Sequence, residues 1–227
     1  MDVSLSFAGE TLRPLPCGAL YWPAQAALLV ADLHFEKASA FARRGWMLPP
    51  HDSAETLRVL IDALEATGAR RVICLGDSFH DDGGPYRLPN GPRAALRALT
   101  ISLDWLWITG NHDDRAGAVL GGRMMPEARI GGITLRHEAD PDDPAPELSG
   151  HFHPKLAVTV RGRRIVRRCF AHSPTKLVLP AYGAFTGGLD IADPAIVSVM
   201  RGPVTAVLAE GGRLLRFPVP TSEMAAE

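Results

Sequence analysis

The chain has 227 residues, of which 46% are hydrophobic and 22% charged, and its formal net charge is −1. These values are typical of a globular protein; they exclude long disorder, collagen-like sequence and coiled coil, and they argue against a broad nucleic-acid-binding surface, which is usually basic. A chain of this length can bury a substantial core, and we predict a single domain over residues 1–227.

The first half of the chain alternates between strand-like and helical patterns. Three short apolar runs predict buried strands, at residues 26–31, 71–75 and 105–109. Two amphipathic segments predict helices, at residues 52–67 and from Pro92 to about Leu103. Asp52 is placed to cap the first of these helices and Gly68 to end it.

After Gly121 the pattern changes to short strand-like segments separated by turn signals such as Gly131-Gly132 and Gly211-Gly212. The predicted strands are residues 130–135, 155–160, 164–170, 175–179, 197–200, 204–208 and 214–217. The first half is therefore α/β and the second half mostly β, which indicates packed sheets with helices outside.

Polar residues able to bind metal lie beside the ends of the predicted strands. They are Asp32, His34, Asp77, Asn111, His137, His151 and His153. Because the carboxyl ends of strands in an α/β sheet meet at one edge, these residues are expected to converge. We expect Asp32-x-His34 and His151-x-His153 to be extended, so that each pair points to one side.

These side chains offer oxygen and imidazole ligands without a thiolate, a set that suits Mn²⁺, Fe²⁺ or Zn²⁺. An ionised aspartate buried at a strand end would cost several kcal/mol unless it were paired, and a cation would provide the pairing. Seven ligands are too many for one tetrahedral site, and they fit two metals that share a carboxylate.

A known superfamily has the same residues in the same order. The set Asp32-x-His34, Gly76-Asp77, Gly110-Asn111-His112-Asp113, His137 and Gly150-His151-x-His153 resembles the calcineurin-like metallophosphoesterases. The resemblance implies an α/β sandwich of two mixed β-sheets flanked by helices, and two divalent metal ions.

The same resemblance implies roles for individual residues. Asp32, His34, Asp77 and His153 would hold the first metal, and Asp77, Asn111, His137 and His151 the second. A hydroxide shared by the metals would attack phosphorus, with His112 as the general acid and Asp113 orienting it.

The second motif of the set bears on the substrate. Phosphoprotein phosphatases of the superfamily carry an arginine that clamps a monoester, and here Asp81 stands in its place. His80 matches a histidine of DNA-repair nucleases in the superfamily, so it is a third candidate catalytic residue and favours a phosphodiester substrate. A surface histidine hydrogen-bonded to a loop is the structural alternative for His80.

A closer resemblance rests on residues 32–37, 41–45, 76–81 and 179–190. These segments are similar to the bacterial ligase-associated DNA damage response endonuclease family (PdeM-type). That similarity implies a Mn²⁺-dependent phosphodiesterase or endonuclease acting on DNA, with DNA ligase and helicase partners. Fe²⁺, Zn²⁺ and Mg²⁺ are alternative metals. The alternative functions are a small-molecule phosphodiesterase or nucleotide pyrophosphatase with the same site, and a non-catalytic scaffold of a repair complex.

Two arginine-rich segments are candidate substrate contacts. Residues 161–168 carry five arginines around a predicted hairpin turn, including Arg163 and Arg164, and Arg43 and Arg44 follow the first motif. Guanidinium groups there would pair with backbone phosphates. A solvated hairpin face is the alternative for residues 161–168.

Targeting signals are not evident in the sequence. No apolar run approaches the roughly 18–20 residues of a membrane helix, and the first residues lack the basic start and apolar stretch of a signal peptide. Three widely spaced cysteines argue against a disulfide framework. We therefore expect a cytoplasmic protein without membrane association.

Overall fold

The computed structural model describes residues 3–111 and 116–220. These residues form two seven-stranded sheets, a separate two-stranded ribbon, six α-helices and one 3-10 helix. Both sheets contain parallel and antiparallel pairs, and they pack face to face. The predicted α/β sandwich of two mixed sheets flanked by helices is confirmed.

The first sheet contains the first seven strands in chain order. They are β1 (Leu5–Phe7), β2 (Glu10–Pro14), β3 (Leu20–Trp22), β4 (Ala27–Val30), β5 (Arg71–Leu75), β6 (Asp104–Ile108) and β7 (Arg123–Met125). The strands from β4 to β7 are parallel, so their carboxyl ends lie at one edge of the sheet. The three buried runs predicted as strands are β4, β5 and β6.

The second sheet and the ribbon come from the second half of the chain. Their strands are β8 (Ala128–Ile130), β9 (Ile133–Leu135), β10 (Glu147–Ser149), β11 (Lys155–Val160), β12 (Arg163–Arg168), β13 (Phe170–His172), β14 (Lys176–Val178), β15 (Thr205–Glu210) and β16 (Arg213–Pro218). The sheet order is β16-β15-β13-β14-β10-β9-β8, while β11 and β12 form the ribbon. The single strand predicted at 130–135 is instead the hairpin β8–β9, turning at Gly131-Gly132.

Besides a 3-10 helix at Pro23–Gln25, six α-helices lie among the described residues. They are α1 (Lys37–Ala42), α2 (Asp52–Thr67), α3 (Gly84–Arg87), α4 (Asn90–Ser102), α5 (Ala116–Leu120) and α6 (Pro194–Val199). The helix α6 replaces the strand predicted at 197–200. Its start signals outweigh the β-branched residues, because Pro194 is a first-turn residue and Asp193 accepts a hydrogen bond from the Ala195 N–H at 2.9 Å.

The helix α2 has the predicted bounds, but its first turn is not capped as we predicted. Gly68 ends it in a left-handed conformation, with its N–H 2.9 Å from the Leu64 carbonyl oxygen. Asp52 does not cap it, since the Asp52 carboxylate accepts a hydrogen bond from the Ala38 N–H at 2.9 Å. The predicted cap was wrong because this carboxylate ties α2 to α1 instead.

The core is divided by the sheets into layers. Leu29, Ile73 and Leu106 point from the first sheet toward the second, while alternate residues of the same strands pack against α2, α4 and α5. Strands buried on both faces explain why their sequences are continuous apolar runs. Among the helices of the described residues, none combines the length and apolar character needed to cross a membrane.

Candidate metal centre

All seven residues predicted as metal ligands lie where the two sheets meet at one edge. Asp32 and His34 follow β4, Asp77 follows β5, Asn111 follows β6, His137 follows β9, and His151 and His153 follow β10. Both sheets therefore supply polar side chains to one site. The three-residue strand β10 was not predicted, although the histidines it positions were.

One group of possible ligands consists of Asp32, His34 and His153. One ligand atom from each residue lies within 4.8 Å of the other two. The His153 Nε2 is 3.3 Å from the Asp32 Oδ1, and the His34 and His153 Nε2 atoms are 3.4 Å apart. Two imidazoles and a carboxylate thus face a common point.

A second group consists of Asp32, Asp77 and His137, again within 4.8 Å of one another. The His137 Nε2 is 3.6 Å from the Asp77 Oδ1. The His137 Nδ1 lies 3.1 Å from the Leu75 carbonyl oxygen, which can accept a hydrogen bond but cannot donate one. A proton on Nδ1 would be bound by this carbonyl and would leave the Nε2 lone pair facing the site, as in histidines that bind metal.

The remaining two predicted ligands join this second group. The His151 Nδ1 is 3.1 Å from the His137 Nε2 and 3.4 Å from the Asn111 Nδ2. The Asn111 N–H donates to the Asp77 Oδ1 at 2.8 Å, and the His151 N–H donates to the Asp32 Oδ2 at 2.9 Å. Asp32 belongs to both three-residue groups, whereas the family resemblance implies Asp77 as the shared carboxylate.

The residues fit divalent cations. Asp32 is fully buried, and its Oδ1 accepts no hydrogen bond from the described part of the chain. A buried carboxylate oxygen that accepts no hydrogen bond is costly, and a cation would remove that cost. Carboxylate, amide and imidazole donors without thiolate suit Mn²⁺, Fe²⁺ or Zn²⁺.

The backbone of the site is not extended as we expected. Five of the seven residues have left-handed conformations: Asp32 (φ 52°), His34 (φ 46°), Asp77 (φ 44°), His151 (φ 70°) and His153 (φ 49°). Each such residue stores strain of order 1–3 kcal/mol, which the surrounding structure must offset. The extended-strand explanation for the two x-spaced pairs was therefore wrong, because tight turns rather than strand alternation direct these side chains.

Two glycines of the motifs are required for space. A Cβ on Gly150 would lie 2.5 Å from the Asp32 Oδ2 and 2.7 Å from the Ala31 Cβ. A Cβ on Gly110 would collide with the backbone nitrogen and Oδ1 of Asp77. Neither glycine has a positive φ, so the close approach of the carboxylates is what excludes a side chain.

A buried ion pair holds the loop between β9 and β10 in place. This loop contains His137 and leads into β10, which is followed by His151. Lys176 and Glu147 are both fully buried, with the Lys176 Nζ 2.9 Å from the Glu147 Oε2. The Lys176 Nζ also donates to the carbonyl oxygens of Asp140 (2.7 Å) and Asp143 (2.9 Å). Burial raises the pKa of Glu147, and Lys176 opposes that shift. This pair could not be predicted from the sequence pattern, because its partners lie on different strands.

The other predicted catalytic residues have separate outcomes. The His80 ring lies next to the site, with its centroid 5.8 Å from that of His34 and 5.4 Å from that of Phe41. His112 and Asp113 lie outside the described residues.

The four arginines predicted to bind substrate are all exposed. Arg43 and Arg44 follow α1, and Arg163 and Arg164 lie on β12 of the ribbon. Cross-strand pairing puts Arg164 on the ribbon face of Lys155 and puts Arg163 on the opposite face. The predicted strip is therefore divided between two faces.

A search of solved structures found several similar chains. The nuclease MPE of Pseudomonas putida is 30% identical, with a TM-score of 0.73, over 95% of this chain and 98% of that chain. The phosphoesterase Yfce of E. coli is 12% identical over 86% of this chain and 99% of its own, with a TM-score of 0.44. Zn²⁺-bound Vps29 of Entamoeba histolytica is 16% identical over 85% of this chain and 97% of its own, with a TM-score of 0.35.

A scan against protein-family models gave no match, and neither did a search of curated proteins. The two-sheet fold and the carboxylate–histidine site define a calcineurin-like metallophosphoesterase, a hydrolase of phosphoric esters. Within that superfamily, the chain belongs to the family of the Pseudomonas putida nuclease MPE, to which it is similar over nearly its whole length.

The close packing of Gly150 leads to a first prediction. Gly150→Ala would push the new methyl group against Asp32, and we expect Mn²⁺ affinity to fall about 10–100-fold. Gly91→Ala is the matched control, because a Cβ on Gly91 meets no atom within 4 Å. Isothermal titration with Mn²⁺ measures both variants, and an unchanged affinity in Gly150→Ala would contradict the role assigned to this contact.

The buried pair leads to a second prediction. Lys176→Met removes the nearer cation from the buried Glu147 carboxylate and leaves only the Arg136 Nε, 3.6 Å away, so we expect the free energy of unfolding to fall by up to about 3–5 kcal/mol. A raised carboxyl pKa favours the folded state only while that group is protonated, so the deficit should grow as pH rises from mildly acidic to neutral. Urea denaturation at both pH values measures it. The double variant Lys176→Met/Glu147→Leu should regain most of the loss, and no recovery would refute the pairing.

Proposed function

We propose that this chain is a phosphodiesterase that uses two divalent metal ions, Mn²⁺ first among the candidates, and that it cleaves DNA as an endonuclease. The observation that carries the proposal is the convergence of oxygen and imidazole donors from both sheets around two buried carboxylates, Asp32 and Asp77. Family membership alongside a nuclease supports the nucleic-acid substrate.

Each residue of the site has a proposed part in the reaction. Metal ions held by the seven ligands would lower the pKa of a bound water and neutralise charge on the phosphoryl oxygens. Asp77 is proposed as the ligand shared by both metals, on the basis of the family resemblance. The Leu75 carbonyl oxygen accepts from the His137 Nδ1 and so keeps the His137 Nε2 available as a metal ligand. His112 follows the ligand Asn111 and is proposed to protonate the leaving oxygen, with Asp113 orienting it.

The loop after β5 favours a phosphodiester. The Asp81 carboxylate pairs with the Arg87 guanidinium at 2.8 Å, so the position used by a monoester-clamping arginine holds an internal ion pair. A monoester dianion would meet a carboxylate there, whereas a diester carries one negative charge fewer. His80 packs against the His34 ring, which suits a group that contacts the scissile phosphodiester.

The biological setting follows from the resemblance to the ligase-associated family. We propose a DNA repair role in the cytoplasm, with DNA ligase and helicase as partners, and with Arg43, Arg44, Arg163 and Arg164 as contacts to the DNA backbone. The net charge of −1 is compatible with this substrate, because metal ions would make the site locally positive.

The metal-dependent reaction is tested with bis-p-nitrophenyl phosphate and Mn²⁺. Asp77→Ala removes a carboxylate from the site and should lower kcat/KM at least about 100-fold, together with bound Mn²⁺. Asp62→Ala is the control, because Asp62 pairs with Arg58 on the exposed face of α2. Hydrolysis that survives both chelation and Asp77→Ala would refute the mechanism.

The nature of the substrate is tested by nicking of supercoiled plasmid under the same conditions. An endonuclease nicks the plasmid, and the Asp77→Ala variant should not. Hydrolysis of bis-p-nitrophenyl phosphate with an intact plasmid would indicate a small-molecule phosphodiesterase or nucleotide pyrophosphatase. A loss of both activities in a chain that still binds ligase or helicase would indicate a scaffold.

The general acid is tested separately from the metal ligands. His112→Ala should retain bound Mn²⁺ and lose between about 100-fold and 10,000-fold in kcat. Metal analysis and steady-state kinetics on the same preparation distinguish the roles. Loss of metal together with activity would make His112 a ligand and refute its assignment as the acid.

A further inference from the structure

A pocket of about 410 Å³ lies between α1, the start of α2 and the start of α4. Its volume is within the usual range of small-molecule sites, roughly 300–1,000 Å³. Its walls are mainly apolar, and they include Ala38, Ala42, Met47, Leu48, Pro89 and Pro92. A concave apolar surface that also carries a few polar groups is the usual form of a ligand site.

The pocket and the metal centre share the helix α1. The Phe41 ring packs against the His80 ring, with centroids 5.4 Å apart, and the His80 ring lies 5.8 Å from that of the ligand His34. Ala38 and Ala42 are one turn apart on another face of the same helix and form one wall of the pocket. Since a helix is about 10 Å across, the pocket lies on the order of 10 Å from the metal centre.

The segment between α1 and α2 leaves large apolar side chains in solvent. Met47 lines the pocket and is 86% exposed, and its neighbour Trp46 is 69% exposed. Large apolar side chains exposed next to each other mark an interaction site. Arg43 and Arg44 follow the pocket residue Ala42 directly, and both are exposed. Apolar surface beside guanidinium groups is complementary to a nucleotide, in which an apolar ring face adjoins a phosphate.

One polar group of the pocket has an acceptor available for a ligand. Asp52 is buried at the start of α2, and its Oδ2 accepts the Ala38 N–H at 2.9 Å. Within the described part of the chain, no hydrogen bond reaches its Oδ1. The other carboxylate of the pocket, that of Glu36, already accepts the Ser53 hydroxyl at 2.8 Å. The Asp52 Oδ1 is therefore an acceptor among apolar walls.

An acceptor of this kind discriminates between nucleobases. Adenine and cytosine carry an exocyclic amine, which donates hydrogen bonds, whereas thymine carries a carbonyl oxygen in the corresponding place. A carboxylate binds the amine strongly and repels the carbonyl oxygen.

We propose that the pocket binds an unpaired nucleobase close to the cleaved phosphodiester, with the amine of the base donating to the Asp52 Oδ1. The apolar walls cover the faces of the ring, and Arg43 and Arg44 lie where the backbone of the same strand would pass. This inference rests on the proposed nucleic-acid substrate, to which it adds a preference for bases that carry an exocyclic amine.

The binding test uses metal-free protein in a chelator, so that cleavage plays no part. The probes are fluorescein-labelled hexanucleotides that contain only adenine, only cytosine or only thymine, followed by fluorescence anisotropy. The adenine and cytosine probes should bind about tenfold more tightly than the thymine probe, because a hydrogen bond to a charged acceptor is worth at least about that factor. Equal affinity for the three probes would overturn the proposal.

Asp52→Asn tests the acceptor with little change of shape. The amide oxygen can still accept the Ala38 N–H, while the amide NH2 replaces Oδ1 with a donor. The thymine probe should then bind at least as tightly as the cytosine probe. A variant that keeps the original preference would refute the role of Asp52.

A second variant tests the pocket without changing Asp52, and it decides the matter if Asp52→Asn does not fold. Ala42→Leu enlarges a side chain of the pocket wall and should weaken binding of the adenine and cytosine probes about tenfold, with little effect on the thymine probe. Ala98→Leu is the matched control, because Ala98 is exposed on α4 and does not line the pocket. Unchanged affinity in Ala42→Leu, or an equal loss for all three probes, would overturn the proposal.

A kinetic test separates this proposal from the proposed function. Bis-p-nitrophenyl phosphate has no nucleobase, so Ala42→Leu should lose at least about fivefold more kcat/KM on an adenine oligonucleotide than on that substrate, mainly through KM. Equal losses on both substrates would place the effect at the metal centre and refute the proposal. If the original chain cleaves neither substrate, the proposed function fails while the anisotropy result still decides the pocket.

Discussion

The Asp32 carboxylate is the contact on which the site depends. Its Oδ2 accepts the N–H of His151 from the second sheet, while its own backbone N–H donates to the Gly76 carbonyl oxygen within the first sheet. Its carbonyl oxygen accepts the Gly183 N–H from the loop after β14. A residue with no exposed surface thus joins three separate parts of the chain, and its remaining oxygen, Oδ1, points to the cluster of imidazoles.

Much of this arrangement could be predicted because the motifs follow strands with strong local signals. The runs before Asp32 and Asp77 are buried on both faces and therefore read as continuous apolar segments. The prediction of individual elements failed where the local sequence signal is weak and tertiary contacts decide the structure. The strand β10 has three residues and exists because it pairs with β9 and β14, and α6 begins at a proline that a strand pattern obscured.

Side-chain contacts between distant segments were outside the reach of the sequence pattern. Lys176 and Glu147 meet across neighbouring strands, and nothing near either residue in the sequence indicates its partner. The left-handed turns of the ligand residues were missed for a related reason. Asp and His only occasionally take positive φ, and here the surrounding sheets impose it. Composition and periodicity report local preferences, whereas these features are set by the whole fold.

The position of the ligands at the junction of both sheets has a mechanical consequence. A cation bound there would cross-link the two sheets, through ligands that follow β4 and β5 in the first sheet and β9 and β10 in the second. Since binding to the folded state alone raises stability by mass action, a chelator would loosen the layers as well as stop the chemistry. The resistance of the protein to heat would then depend on the supply of metal around it.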